Sequence, residues 1–362
     1  MIDELGVYFH WPYCRSKCPY CDFFSRVAEN VNQDEIIAGY LQQLTRAAQT
    51  LGRRCIKSVF FGGGTPSLIS PDNIKRLLDK INDLWSIQDD VEITLEANPN
   101  SYYPQMFANL AAAGINRLSL GVQSLDDAEL RFLGRTHSAA QALAAIAEIK
   151  DCFANHSIDL IYALPKQNIA TWSEMLEQII ALGLRHISLY QLTIEEGTVF
   201  AAKKIRPLAE EKAVALYRRT ERLLSAAGYA KYEVSNYASA GYACVHNQIY
   251  WQGGDYLGIG PSAHGRLQID GKIYAQTDGF ALEELSPQER AIELIIMGLR
   301  LVSGINRTAF RQGCGLQLDE FINQDFCRQM QQKGLLSDDG TALCATPDGF
   351  LLLDYLISGL VP

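Results

Sequence analysis

The chain is poor in positive charge, in pairable cysteine and in long apolar runs, and each deficit closes off a class of protein. Thirty-two Lys and Arg stand against 41 Asp and Glu in 362 residues, a formal net charge of −9. A broad nucleic-acid footprint would show as a basic excess, so no nucleic-acid partner is expected. The nine cysteines are odd in number and six of them are scattered singly. That is the usage of a reducing compartment, not of a disulfide framework. No apolar run reaches the ~18 residues that a membrane-spanning helix needs; the late run 350–361 is broken by Asp354. Met1-Ile2-Asp3-Glu4-Leu5 has neither the basic and apolar regions of a signal peptide nor the Arg-rich, acid-poor character of a transit peptide. These absences predict a soluble, cytoplasmic protein; they leave peripheral membrane contact and a homodimer open.

What is present reads as α/β. Short apolar or β-branched runs at 6–11, 58–61, 91–96, 117–121, 158–162 and 187–191 alternate with amphipathic stretches at 34–51, 71–84, 104–113, 126–133, 139–153, 171–182 and 210–227. Ser70-Pro71 is a cap and first-turn pair, and Gly114, Gly183 and Gly228 stand where helices should stop. Six strand–helix units imply a parallel sheet with right-handed crossovers, curled into a partial (β/α)6 barrel whose chemistry gathers at the C-terminal strand ends. After Gly228 the texture changes. The expected division is a barrel over 1–240, a Gly- and aromatic-rich connecting segment over 241–285, and a small, mainly helical, winged-helix-like domain over 286–362. In that last part helices are expected at 286–302, 319–333 and 347–356, with a hairpin turning at Asp338-Asp339-Gly340.

Cys14, Cys18 and Cys21 follow the first strand at C-x3-C-x2-C spacing. Thiolates suit iron–sulfur clusters and zinc. A closed zinc site needs four ligands, and the next cysteine is Cys55. The loop therefore leaves one metal corner free, unless a distant His completes a zinc site. Phe61-Gly62-Gly63-Gly64-Thr65-Pro66 ends the second strand, where glycines let backbone approach a ligand closely. Glu96, Gln123, Arg135 and Asp159 fall at or near the active ends of later strands. Arg suits a carboxylate by bidentate pairing; the other three suit hydroxyl and amino groups.

These motifs in this order resemble the radical S-adenosylmethionine (SAM) superfamily. The resemblance implies that the three cysteines hold a [4Fe–4S] cluster whose open iron chelates SAM. One electron from the cluster then cleaves SAM to methionine and a 5′-deoxyadenosyl radical. It assigns Tyr8, Tyr20, Gly63, Gly64, Thr65, Glu96, Gln123, Arg135 and Asp159 to SAM binding. It also implies a flavodoxin- or ferredoxin-like electron donor.

Within the superfamily the chain is similar to the HemN-like branch. It departs from the coproporphyrinogen III dehydrogenases there in two ways. Phe23 stands where they carry a fourth cysteine, and the first strand begins within a few residues of Met1. Both departures resemble the branch's heme chaperones, as does His246-Asn247-Gln248-Ile249-Tyr250-Trp251, an HNxxYW pattern. The resemblance therefore implies heme as cargo, respiratory heme proteins as acceptors, and His246 or His264 as candidate heme ligands. The bland reading of His246 is a loop hydrogen bond, with Tyr250 and Trp251 in the core. Porphyrinogen decarboxylation and HemN-like methyl transfer are the alternative activities.

Overall fold

The structure, a computed structural model, describes residues 3–101 and 105–361. Twelve strands form one large sheet: β1 (Glu4–Trp11), β2 (Cys55–Gly63), β3 (Ser86–Ala97), β4 (Arg117–Gln123), β5 (Asn155–Tyr162), β6 (His186–Gln191), β7 (Ala230–Glu233), β8 (Asn236–Ala238), β9 (Tyr256–Ile259), β10 (Gly265–Ile269), β11 (Lys272–Thr277) and β12 (Ala281–Glu284). Their order is β12-β11-β10-β9-β1-β2-β3-β4-β5-β6-β8-β7. The stretch from β9 to β6 is parallel throughout; β10–β12 on one flank and β8–β7 on the other run antiparallel. The central strands alternate: one set of side chains is apolar and packs under the helices, while the other carries polar groups such as His10, Glu96, Ser119, Asp159 and Ser188 toward the barrel interior. β1, for example, buries Leu5, Val7, Phe9 and Trp11.

The crossover helices follow the expected alternation: α1 (Gln33–Leu51), α2 (Pro71–Leu84), α3 (Met106–Ala112), α4 (Asp127–Phe132), α5 (Ala139–Cys152), α6 (Ile169–Ala181) and α7 (Glu210–Ala226). Their ends obey local chemistry. Ser70 caps α2 ahead of Pro71, and Ser138 and Gln141 close a capping box on α5. α1 is capped by Asn32, and Asp34 lies inside its first turn. The expected helix start at 104 lies outside the described residues.

The stretch 241–285 does more than connect. It holds α8 (Val245–Trp251), and β9 adds a seventh parallel strand beside β1, on the side away from β2. Beyond it the C-terminal part opens with α9 (Pro287–Gly298), started by a Ser286/Glu289 capping box. A three-stranded sheet follows, of β13 (Ile305–Asn306), β14 (Leu336–Asp338) and β15 (Ala342–Ala345), with the hairpin turning at 339–341. The single helix expected over 319–333 is two, Leu318–Phe321 and Gln324–Gln332. Asn323 breaks the run by capping the second through its side chain. The last helix runs Leu353–Leu360, preceded by a 3-10 turn at Gly349–Leu352. This part has its own core around Leu299, Phe310, Met330 and Leu356. It docks on the β7 edge, where the amide of Val302 donates to the Tyr232 carbonyl at 3.1 Å and the Lys231 ammonium lies 4.1 Å from the Phe350 ring centre.

Candidate functional site

The cysteine loop leaves β1 and returns at once. Tyr13–Cys14 pairs in parallel with Arg26–Val27, and the Arg26 amide donates to the Pro12 carbonyl at 2.7 Å, so residues 15–25 form a closed loop over the C-terminal strand ends. The end of β2 is threaded beneath it. The amides of Gly64 and Thr65 donate to the carbonyls of Trp11 (2.7 Å) and Tyr13 (2.9 Å). A Cβ on Gly64 would stand 2.6 Å from the Tyr13 oxygen. That is the local reason for glycine there: two backbones share the space. On the other side Gly134, at φ +68°, lies against the Pro19 ring.

Loop and strand ends enclose a pocket of about 410 Å3. Cys14, Cys18 and Cys21 line it, together with Tyr20, Gly63, Gly64, Thr65, Glu96, Gln123, Arg135 and Asp159. Eight of the nine residues expected around SAM therefore share one pocket with the three thiols. Tyr8 is elsewhere. Its hydroxyl is 3.1 Å from His10 Nδ1, its ring stacks on Phe60, and it lines a second cavity.

The pocket has one cationic and one carboxylic side. The Arg135 guanidinium reaches Cys18 Sγ at 3.4 Å, donates to the Gly121 carbonyl at 2.8 Å, and bonds Asn98 Oδ1. Asn98 in turn donates to Thr65 Oγ1 at 3.1 Å, which fixes the guanidinium plane. Opposite, burial and the neighbouring Asp159 push the Glu96 carboxyl up to about 8, against the pull of the Gly63 amide. Burial also raises Asp159, eased by hydroxyls of Ser188 and Ser119; Ser119 donates to it at 3.0 Å. At neutral pH the Glu96 carboxyl thus keeps its proton.

Among the described residues no three His, Cys, Asp or Glu side chains are grouped to hold one metal ion. The three thiols border one pocket, and among the described residues no histidine lines it to complete a four-ligand zinc site. Three thiolates on one loop suit an iron–sulfur cluster with one iron left open. The remaining space, with a cation beside the thiols and hydrogen-bonding groups opposite, fits a small zwitterion carrying hydroxyls.

The second cavity, about 420 Å3, shares Glu96, Asp159 and Tyr190 with the first. Both candidate heme histidines line it. His246, on α8, is buried; its Nδ1 is 2.8 Å from Ser58 Oγ, its ring stacks on Phe60 at 5.1 Å, and burial lowers it to about 3. Only Nε2 is left for a ligand; the hydrogen bond weighed from the sequence is made to Ser58 on β2 and not to a loop, and Tyr250 and Trp251 are only partly buried. His264 is exposed at the rim. Asn98, Ser119 and Tyr190 were not singled out from the sequence. Asn98 lies two residues beyond Glu96 on the same strand end, and that was its only local signal.

The radical SAM superfamily matches residues 8–179 and the HemN C-terminal domain matches residues 285–352. The chain is 35% identical to the heme chaperone HemW of Haemophilus influenzae, covering 98% of this chain and 97% of that protein. It is 34% identical to the heme chaperone HemW of Escherichia coli (94% and 96%). It is 38% identical to the mitochondrial radical S-adenosyl methionine domain-containing protein 1 of Bos taurus (99% and 88%). Among solved structures, coproporphyrinogen III oxidase (HemN) from Escherichia coli superposes with a TM-score of 0.82 at 22% identity, covering 99% of this chain and 90% of that one.

Proposed function

The chain belongs to the radical SAM superfamily and, within it, to the HemW group of HemN-like proteins, and from that premise we propose that it is a heme chaperone working with a [4Fe–4S] cluster and SAM. The observation that carries the cofactor part is the gathering of three thiols and eight hydrogen-bonding or close-approach residues around one pocket. The heme part rests on likeness to heme chaperones along nearly the whole chain.

Cys14, Cys18 and Cys21 would hold the cluster, and SAM the space beside it; together, when bound, they supply one-electron reductive chemistry at a sulfonium. The chain's own residues do the rest. Arg135, oriented by Asn98, pairs with a carboxylate. The β2 end brings backbone at Gly63, Gly64 and Thr65 close to an amino group. Glu96, Gln123 and Asp159 hold hydroxyls, with Glu96 able to donate because its carboxyl keeps its proton. Tyr20, packed on Phe200, closes the loop side. Respiratory heme proteins are the proposed acceptors, and a flavodoxin- or ferredoxin-like protein the electron source. No helix among the described residues is long and apolar enough to cross a membrane.

Anaerobically reconstituted protein should shift the Soret band of added hemin in a saturable way. Cys14→Ala, Cys18→Ala and Cys21→Ala should each lose the brown cluster chromophore. Absence of any Soret shift, with or without the cluster, would overturn the heme reading. So would rescue of a strain lacking oxygen-independent coproporphyrinogen III dehydrogenase.

A further inference from the structure

Three of the ten large apolar side chains that stand exposed among the described residues lie within five positions of each other: Phe23 (55%), Phe24 (42%) and Val27 (56%). They sit on the returning arm of the cysteine loop, and Phe23 lines the mouth of the cofactor pocket. Nothing among the described residues covers them, although burying such groups is normally favourable. Cations flank them. Lys17 donates to the carbonyls of Phe23 at 3.2 Å and Ser25 at 3.5 Å, which holds its ammonium on this arm of the loop. Arg26 lies over Phe24, 5.7 Å from the ring centre, and Arg15 is exposed on the same loop. Among the described residues none of the three is ion-paired. The loop's own carboxylates are Asp22 and Glu29. Three unpaired cations thus stand beside exposed aromatic rings, with Glu195 a further carboxylate on the wall of the same pocket.

The scale of the patch limits what can cover it. Two half-exposed Phe and one Val offer roughly 200–300 Å2, well below the ~800 Å2 that a stable protein partner covers on each side. A flat apolar macrocycle with carboxylates on one edge matches both its size and its unpaired cations. We propose that this arm of the loop is the heme-docking surface, the macrocycle lying against Phe23 and Phe24 and the propionates toward Lys17 and Arg26. The inference rests on the heme-chaperone reading and adds to it a place, at the mouth of the cofactor pocket.

The test is hemin titration of the full-length, cluster-reconstituted protein, followed by the Soret band, with iron and sulfide content measured on each variant. Phe23→Ser/Phe24→Ser should weaken heme binding by about tenfold or more with the cluster intact. Tyr355→Ser, an equally exposed aromatic on the last helix, should change nothing. Lys17→Glu/Arg26→Glu should weaken heme but leave the affinity for heme dimethyl ester, which has no propionate charge, as in the parent. Should the double Phe variant lose its cluster, Phe24→Ser decides alone, since that side chain lies outside the cofactor pocket. Unchanged heme affinity in cluster-bearing Phe variants would overturn the inference while leaving the chaperone reading standing. So would a defect confined to cluster reduction by a flavodoxin, which would give the patch to a protein donor. If the parent protein binds no heme, the chaperone reading itself has failed.

Discussion

Glu96 concentrates what single residues contribute here. Its carboxyl titrates near 4.5 in the unfolded chain and near 8 in the folded one. Between those values the folded state holds a proton that the unfolded state has released, so each step up in pH favours unfolding. Glu96→Gln removes that linkage. Its melting temperature should rise relative to the parent as pH goes from 4.5 to 8, and the gap should stay flat above that. At its largest the effect is on the order of a few kcal/mol. A gap that does not vary with pH would refute the raised carboxyl. At this scale the thiols, Glu96, Arg135 and Asp159 were legible in the sequence, because strand-end polar residues stand out against apolar runs. Asn98 and Ser119 were not. Their partners, Arg135 and Asp159, lie 37 and 40 positions away, and only the folded sheet brings them together. His246 was legible as a motif, but its environment was not: Ser58, which takes its Nδ1, is 188 positions distant.

At the scale of elements, the cysteine loop is shaped by the strand beneath it. Its ordered course depends on the β2 end being bare backbone. Gly64→Ala should therefore push the loop off its seat without unfolding the barrel. Reconstituted iron and sulfide should fall well below parent levels while far-UV circular dichroism is kept; a full complement of iron in the variant would disprove the close-approach argument. Six of the seven parallel strands were legible because each is an apolar run followed by an amphipathic helix of ordinary length. β9 was not. It is four residues long, contains Gly258, and follows a helix of only seven residues, so it offers too little periodicity to read. Its pairing with β1 is a tertiary fact. Asp255 anchors it, accepting from Arg54 at 3.1 Å and from the Gln268 amide at 2.8 Å.

At the scale of the molecule, two cores meet along the β7 edge. Lys231 is the hinge-pin of that contact. It is nearly buried, with its ammonium between the rings of Tyr217 and Phe350 and 3.7 Å from Glu221. Lys231→Ala should cost about 1–3 kcal/mol and loosen the C-terminal part first. Hydrogen exchange should rise across 287–360 before the barrel strands respond; unchanged protection there would contradict this docking. With β7 covered, the large sheet keeps one free margin, β12. Its four residues include Glu283 and Glu284, both exposed; among the described residues Glu284 alone of the two is ion-paired, to Lys272. Two copies meeting margin to margin would set carboxylate against carboxylate along the line where their backbones would have to join. The exposed carboxylates on this margin therefore disfavour strand-to-strand joining of two copies and the growth of a ribbon.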